Sequence, residues 1–420
     1  MAKKDRFMSE DPQDDWADDD QSPSKDDIWN RVYEKYDRLQ RKPLNKGDEE
    51  RISGEFSKKS HNPQKKENKT FSMTPKAIKS YLDKYIISQE QAKKDISVAV
   101  AFHYSRISSD NIEKKNNLLV IGPTGVGKTY TMQKIAEIAN VPFVEVDISK
   151  FTKTGYVGMS VDDILRYVIT KSGNDLEKAK RSIVYIDEID KIKTHYSSGG
   201  GRDINGQEVQ TELLKIMEGA CVPVVVYLDG DRQKMIEVNT KDMLFVCSGA
   251  FPDLEPIIAS RTGKTKGIGF GADMTTKPEG ESNLGKVSVD DLVKYGFLRE
   301  FLGRLPVITV LSPLSRHDLR RILSEPAGSI IEQYKNEMKP FGIELEITDE
   351  ALEMIADRAY NHKIGARALN TVCEEVLKQF KYELPGSGIK KLLLTKDAVL
   401  EPEKELARIL AEYGKKGQHI

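Results

Sequence analysis

The residues best placed to do chemistry are Gly122-Pro123-Thr124-Gly125-Val126-Gly127-Lys128-Thr129, followed by Tyr130; the run fits the spacing G-x-x-x-x-G-K-[ST]. In such a run the glycines let successive backbone N–H groups turn toward a phosphate without Cβ clashes. Lys128 would then set a cation on the β- and γ-phosphates, and the Thr129 hydroxyl would reach Mg2+. A second candidate is Asp187-Glu188, at the end of the apolar run IVYI. There Asp187 can hold Mg2+ through water while Glu188 orients and deprotonates an attacking water. Adjacent carboxylates after an apolar run are common alone; the phosphate loop upstream makes this pair specific. Asp190 and Lys191 read as a structural surface pair. Arg304 in EFLGRLPV and Arg367 in KIGARALN could neutralise charge developing on a transferred phosphoryl group. Pattern alone also accommodates a surface arginine at each position. Together these residues point to hydrolysis of a nucleoside triphosphate, with ATP and Mg2+ as the expected cofactors.

The elements around them must hold these groups at one edge. NLLVIG (117–122) reads as a buried strand running into the glycine-rich turn, and a helix follows over 128–139. Further apolar runs within 141–147, 181–190 and 243–251 each give way to polar residues. Strands alternating with helices predict an α/β fold, a parallel sheet with helices on both faces, over residues 71–312. Two helices are expected between Thr74 and Ile107, the first capped by Thr74 with Pro75 at its first position. From residue 313 amphipathic helices (315–338 and 349–382) predict a smaller, mostly helical domain to residue 400. Within it KKLLLT (390–395) is a candidate partner for IELEIT (343–348), and 401–420 reads as a tail. Residues 1–70 are charged and poor in aliphatics, so they are expected to be largely disordered, with 28–40 a candidate docking helix. Residues 262–287, rich in Gly, Lys and Thr, interrupt the pattern as a long functional or disordered loop.

Composition bounds the partners. The 420 residues carry a net charge of −1 with 31% charged side chains, which argues against duplex nucleic acid as the main partner. Cys221, Cys247 and Cys373 form no CxxC pair and read as small buried hydrophobes rather than a disulfide framework or a zinc site. The N-terminus has no apolar leader, and no stretch reaches the ~18 apolar residues of a membrane span. A cytoplasmic protein with no membrane association is the default expectation. Neither G-x-S-x-G nor H-E-x-x-H occurs, so any proteolysis needs a partner.

These motifs, with YIISQEQAKK (85–94), GYVG (155–158), RDINGQEVQTELLKIMEG (202–219), SGAF (248–251), GIGFGA (267–272) and GARAL (365–369), resemble the AAA+ family and, within it, the ClpX-type unfoldases. The resemblance covers roughly residues 71–400. HslU-type unfoldases share several motifs, but GIGFGA after SGAF points to ClpX. It implies an AAA+ P-loop NTPase domain followed by a small helical domain, assembled as a homohexameric ring with nucleotide sites between subunits. Ile86 and Ile87 would flank the adenine, Arg304 would be an arginine finger reaching the neighbouring subunit, and Arg367 would be the sensor-2 arginine. Ser248 lies near the sensor-1 position. Tyr156 and Val157 match the pore loop that grips polypeptide; without the resemblance, a buried tyrosine in a turn is the favoured reading. Ile268-Gly269-Phe270 matches the loop that docks on a ClpP-type peptidase ring, the alternative being a loop folded on its own domain. Unfolded or tagged proteins would be substrates, delivered to that peptidase or, as the alternative, remodelled by a stand-alone chaperone.

The sequence also departs from the family pattern. Residues 1–70 hold no cysteine, so the family's N-terminal zinc domain and its zinc are not expected, and adaptors could instead meet the charged tail. The family's basic pore-entrance loop is replaced between Gly219 and Val238, and Ser88 stands where a glycine is usual.

Overall fold

LLVI, IVYI and LFVC offer no polar residue to water, so a sheet built from them must be covered on both sides. The computed structural model describes residues 73–108, 115–151, 160–194, 204–228, 232–262 and 283–417. Its N-terminal part runs α1 (Pro75–Leu82), α2 (Glu90–Ser108), β1 (Leu118–Ile121), α3 (Lys128–Ala139), β2 (Phe143–Asp147), α4 (Val161–Lys171), α5 (Leu176–Ala179) and β3 (Ile183–Asp187). It continues through α6 (Ile204–Met217), β4 (Cys221–Leu228), β5 (Arg232–Asn239), β6 (Leu244–Gly249), α7 (Leu254–Arg261), α8 (Val289–Tyr295), α9 (Arg299–Leu302) and β7 (Val307–Val310). One sheet has the order β2-β3-β6-β1-β7, every pairing parallel.

Strand alternation splits the apolar side chains between two cores. Leu118, Val120, Ile183, Tyr185 and Val246 join one with α1 and α2; Leu119, Ile121, Val184, Ile186 and Cys247 join the other with α4 and α6. Register places Val120 beside Ser248 and Asp147 beside Asp187. The carboxyl ends of β1, β3 and β6 therefore open on one edge, where ligands of such sheets bind.

Residues 219–238 correct the expectation of a loop. Cys221–Leu228 and Arg232–Asn239 pair as an antiparallel hairpin. Val224, Val226 and Val238 are buried on one face, and Met235 is exposed. Alternating Val and Ile on both sides of an Asp-Gly step carried this signal. Arg166 of α4 locks the hairpin down by donating from Nε to the Val225 carbonyl at 2.9 Å.

The C-terminal part holds α10 (Arg316–Ser324), α11 (Ile330–Met338), β8 (Glu344–Ile347), α12 (Asp349–Asn361), α13 (Arg367–Glu383), β9 (Lys391–Leu394), α14 (Lys396–Leu400) and α15 (Pro402–Gly417). The candidate pairing is present: β8 and β9 run parallel. Ser315 and Asp318 form a capping box on α10, and Thr348 caps α12. Leu352, Ile355, Leu369, Val372, Val376 and Phe380 fill a core continuous with one face of the sheet. The segment expected as a tail is helical from Pro402 to Gly417. Leu406, Ile409 and Leu410 share a helical face and pack on that core. Cys247 and Cys373 are buried as expected, while Cys221 at the start of β4 is exposed. Among the described residues no helix is long and apolar enough to cross a membrane.

Candidate active site

The phosphate loop leaves β1 and enters α3. Gly122 donates its N–H to the Gly249 carbonyl at 3.2 Å, and a Cβ on it would meet the Leu311 oxygen at 2.7 Å. Gly127 sits at φ 96° and begins α3 with no side-chain cap. The first-turn amides of α3 are thus left to an anion. Pro123 is half-buried, Thr124 and Tyr130 are exposed, and Val126 anchors the loop in the core. Lys128 Nζ donates to the carbonyls of Gly122 at 2.6 Å and Pro123 at 2.9 Å. Burial lowers its pKa, Asp187 and Asp190 oppose that, and Arg367 adds to it. Lys128 is therefore held among two carboxylates and a guanidinium contributed from elsewhere in the chain.

Asp187 closes β3, and its Oδ1 accepts the Ser248 hydroxyl at 2.5 Å and the Glu188 N–H at 2.9 Å. Ser248 Oγ lies 2.6 Å from Tyr185 Oη, which accepts the Thr129 hydroxyl at 3.1 Å. Thr129 and Asp187, expected to serve one cation, thus stand at two ends of one hydrogen-bonded chain. Glu188 is exposed and holds a left-handed backbone at φ 57°. That conformation costs a non-glycine residue about 1 kcal/mol or more and recurs at functional sites. Asp190 corrects the surface-pair reading: it is 4% exposed and accepts the Ala250 N–H at 3.2 Å, while Lys191 is exposed. A Cβ at Gly249 would lie 2.3 Å from Asp190 Oδ1, so glycine is required there.

Arg367 begins α13, just after the turn Ile364-Gly365-Ala366 that lies directly on the phosphate loop. Ala366 donates its N–H to the Gly125 carbonyl at 2.9 Å, and a Cβ on Gly125 would come 2.1 Å from the Ile364 oxygen. Ile86 and Ile87 are buried after α1, Ile86 in the core that also holds Val126.

Residues 113–308 match the AAA domain (Cdc48 subfamily), and residues 314–388 match the C-terminal, D2-small domain, of ClpB protein. The chain is 43% identical over 342 residues to the ATP-dependent Clp protease ATP-binding subunit ClpX of Borrelia duttonii (strain Ly). The match covers 79% of this chain and 80% of that relative, and the same figures hold for the Borrelia recurrentis (strain A1) subunit. This chain belongs to the ClpX family. As a ClpX-family protein with an AAA domain it is an ATPase and not a peptidase.

Within this ClpX-family site, Arg304 stands apart from the cluster around Lys128. Its guanidinium is half-exposed and donates to Glu218 Oε1 at 2.7 Å, while its carbonyl accepts Asn117 Nδ2 at 3.0 Å. Tyr156, Val157 and Ile268-Gly269-Phe270 lie outside the described residues, as do residues 1–72 with the candidate docking helix and most of the 262–287 loop. Sequence reasoning missed Tyr185 and the burial of Asp190. Period-2 alternation was the available signal, since Tyr185 and Asp187 share one face of β3.

Proposed function

We propose that the chain is an ATP-dependent protein unfoldase and translocase, working in the cytoplasm as a homohexameric ring that threads polypeptides into a ClpP-type peptidase. The observation that carries the reading is the chain from Thr129 through Tyr185 and Ser248 to Asp187, with Glu188 exposed beside it. Thr129 and Asp187 would hold Mg2+, whose charge, when bound, offsets that of the phosphates. Ile86, Ile87 and the loop 122–130 would seat ATP, and Glu188 would take the proton of the attacking water. Arg304, already facing outward, would serve the neighbouring subunit's nucleotide, and Arg367 would report nucleotide state to the helical domain, 313–400. Tyr156 and Val157 would grip the unfolded or tagged substrate, with adaptors meeting the tail 1–70. The Ile268-Gly269-Phe270 loop would dock on the peptidase, an Ile and a Phe on an otherwise polar loop being costly unless a partner buries them. The relatives' printed name, an ATP-binding subunit of a protease, supports that partnership.

Deleting residues 268–270 tests the coupling. ATPase is expected to stay within about twofold, while degradation of a tagged substrate with a ClpP-type peptidase should fall at least about 10-fold, the loss of a buried anchor. Unchanged degradation would leave a stand-alone remodelling chaperone as the reading.

A further inference from the structure

Tyr185 is wholly buried in β3, where a phenylalanine would fill the same volume and pack equally on Phe143, whose ring centroid lies 5.8 Å away. What phenylalanine lacks is the hydroxyl, and that hydroxyl has two partners, Thr129 and Ser248. The direction of the chain follows from its end. The Asp187 carboxylate can only accept, so Ser248 donates to Oδ1. Ser248 has one proton, so the bond between it and Tyr185 is donated by Tyr185, and Thr129 donates to Tyr185. Each hydroxyl therefore spends its proton toward Asp187. Thr129 keeps its lone pairs free of this chain, and Oδ1 of Asp187 is taken by Ser248 and the Glu188 N–H, leaving Oδ2 as the oxygen to be offered. Hydroxyls joined this way polarise one another in a buried setting.

We propose that Tyr185 is a positioning residue: through Ser248 it ties the Thr129 hydroxyl to Asp187, so that both oxygens meet the nucleotide's metal ion already oriented. This rests on the assignment of Thr129 and Asp187 to Mg2+. Outer-sphere groups that orient ligands typically change metal affinity by about 10–100-fold when removed.

The test uses the full-length protein and measures ATP affinity in EDTA and across a Mg2+ titration, with thermal unfolding alongside, for the wild type, Tyr185→Phe, Ser248→Ala, the double variant and Thr129→Ala. Tyr185→Phe should leave metal-free ATP affinity within about twofold and raise the half-effective Mg2+ concentration about 10-fold. Ser248→Ala should do the same, and the double variant should add little, because both cut one chain. A wild-type Mg2+ response in Tyr185→Phe, with Thr129→Ala shifted, overturns the relay alone. Loss of metal-free affinity in step with melting temperature overturns it in favour of packing. An unshifted Thr129→Ala overturns the metal assignment and the relay with it.

Discussion

His103 sits wholly buried, with Nε2 3.1 Å from the Asp242 carbonyl, so that nitrogen carries the proton of the neutral ring. Burial first, then the charges of Arg106 and Lys115, push its pKa down to about 3, against a partial offset from the Asp242 hydrogen bond. An unfolded histidine titrates near 6.5, so below that pH the unfolded chain binds a proton that the folded chain refuses. The stability His103 contributes is thus present above about pH 6.5 and lost as pH falls toward 3, at up to about 1.4 kcal/mol per unit. Urea unfolding of the wild type and His103→Asn between pH 6.5 and 4.5 should differ in slope by about that amount. Parallel slopes would mean that the ring takes up its proton at no cost. At Lys128 in the active site the balance differs: burial again lowers the pKa, but Asp187 and Asp190 oppose it in part.

At the scale of elements, the turn after α1 is fastened to the start of α10. Gln89 donates to the Ser312 carbonyl and accepts its N–H, both at 2.8 Å, and the Ser88 hydroxyl donates to Asp318. Asp318 also completes the capping box of α10; burial alone would raise its pKa, but bonds from Ser88 and Ser315 hold it low. Ser88 makes its contact from a left-handed backbone at φ 58°, a conformation better suited to glycine. Two effects therefore oppose each other and can be separated. Ser88→Ala keeps the strain and loses a hydrogen bond to a charged group, costing about 1–3 kcal/mol. Ser88→Gly loses the same bond but sheds roughly 1 kcal/mol of strain, so its melting temperature should lie clearly above that of Ser88→Ala. Equal melting temperatures would remove the strain from the account.

At the scale of the whole molecule, the phosphate loop and the C-terminal helices are joined by backbone. The Ala366 N–H donates to the Gly125 carbonyl, and the Ile364 carbonyl beside it leaves no room for a Cβ on Gly125. Arg304 lies outside that cluster, half-exposed and paired with Glu218. The proposed ring then makes a prediction no single chain could satisfy. Rings of Arg304→Ala alone, and rings of Glu188→Gln alone, should each lose hydrolysis by about 1,000-fold or more. Mixing the two should restore measurable turnover, because an Arg304→Ala subunit keeps its Glu188 and borrows an arginine from its neighbour. Loss in each ring with no recovery on mixing would place Arg304 in its own subunit's chemistry.

The phosphate loop, Asp187, Glu188 and the parallel sheet were legible in the sequence because each depends on neighbours along the chain. Glycine spacing sets the turn, and an unbroken apolar run sets a strand covered on both faces. The β4–β5 hairpin and α15 were legible in principle, through period-2 alternation and the spacing of Leu406, Ile409 and Leu410, but charge and an apparent loop position masked both. The Tyr185–Ser248 link, the burial of Asp190 and the seating of Gly125 under Ile364 were decided by tertiary structure. Each joins residues distant in the chain whose approach depends on the lateral register of parallel strands or on helix docking. Chain order records neither. Sequence thus marked which groups are candidates for the chemistry, and the fold decided which of them touch.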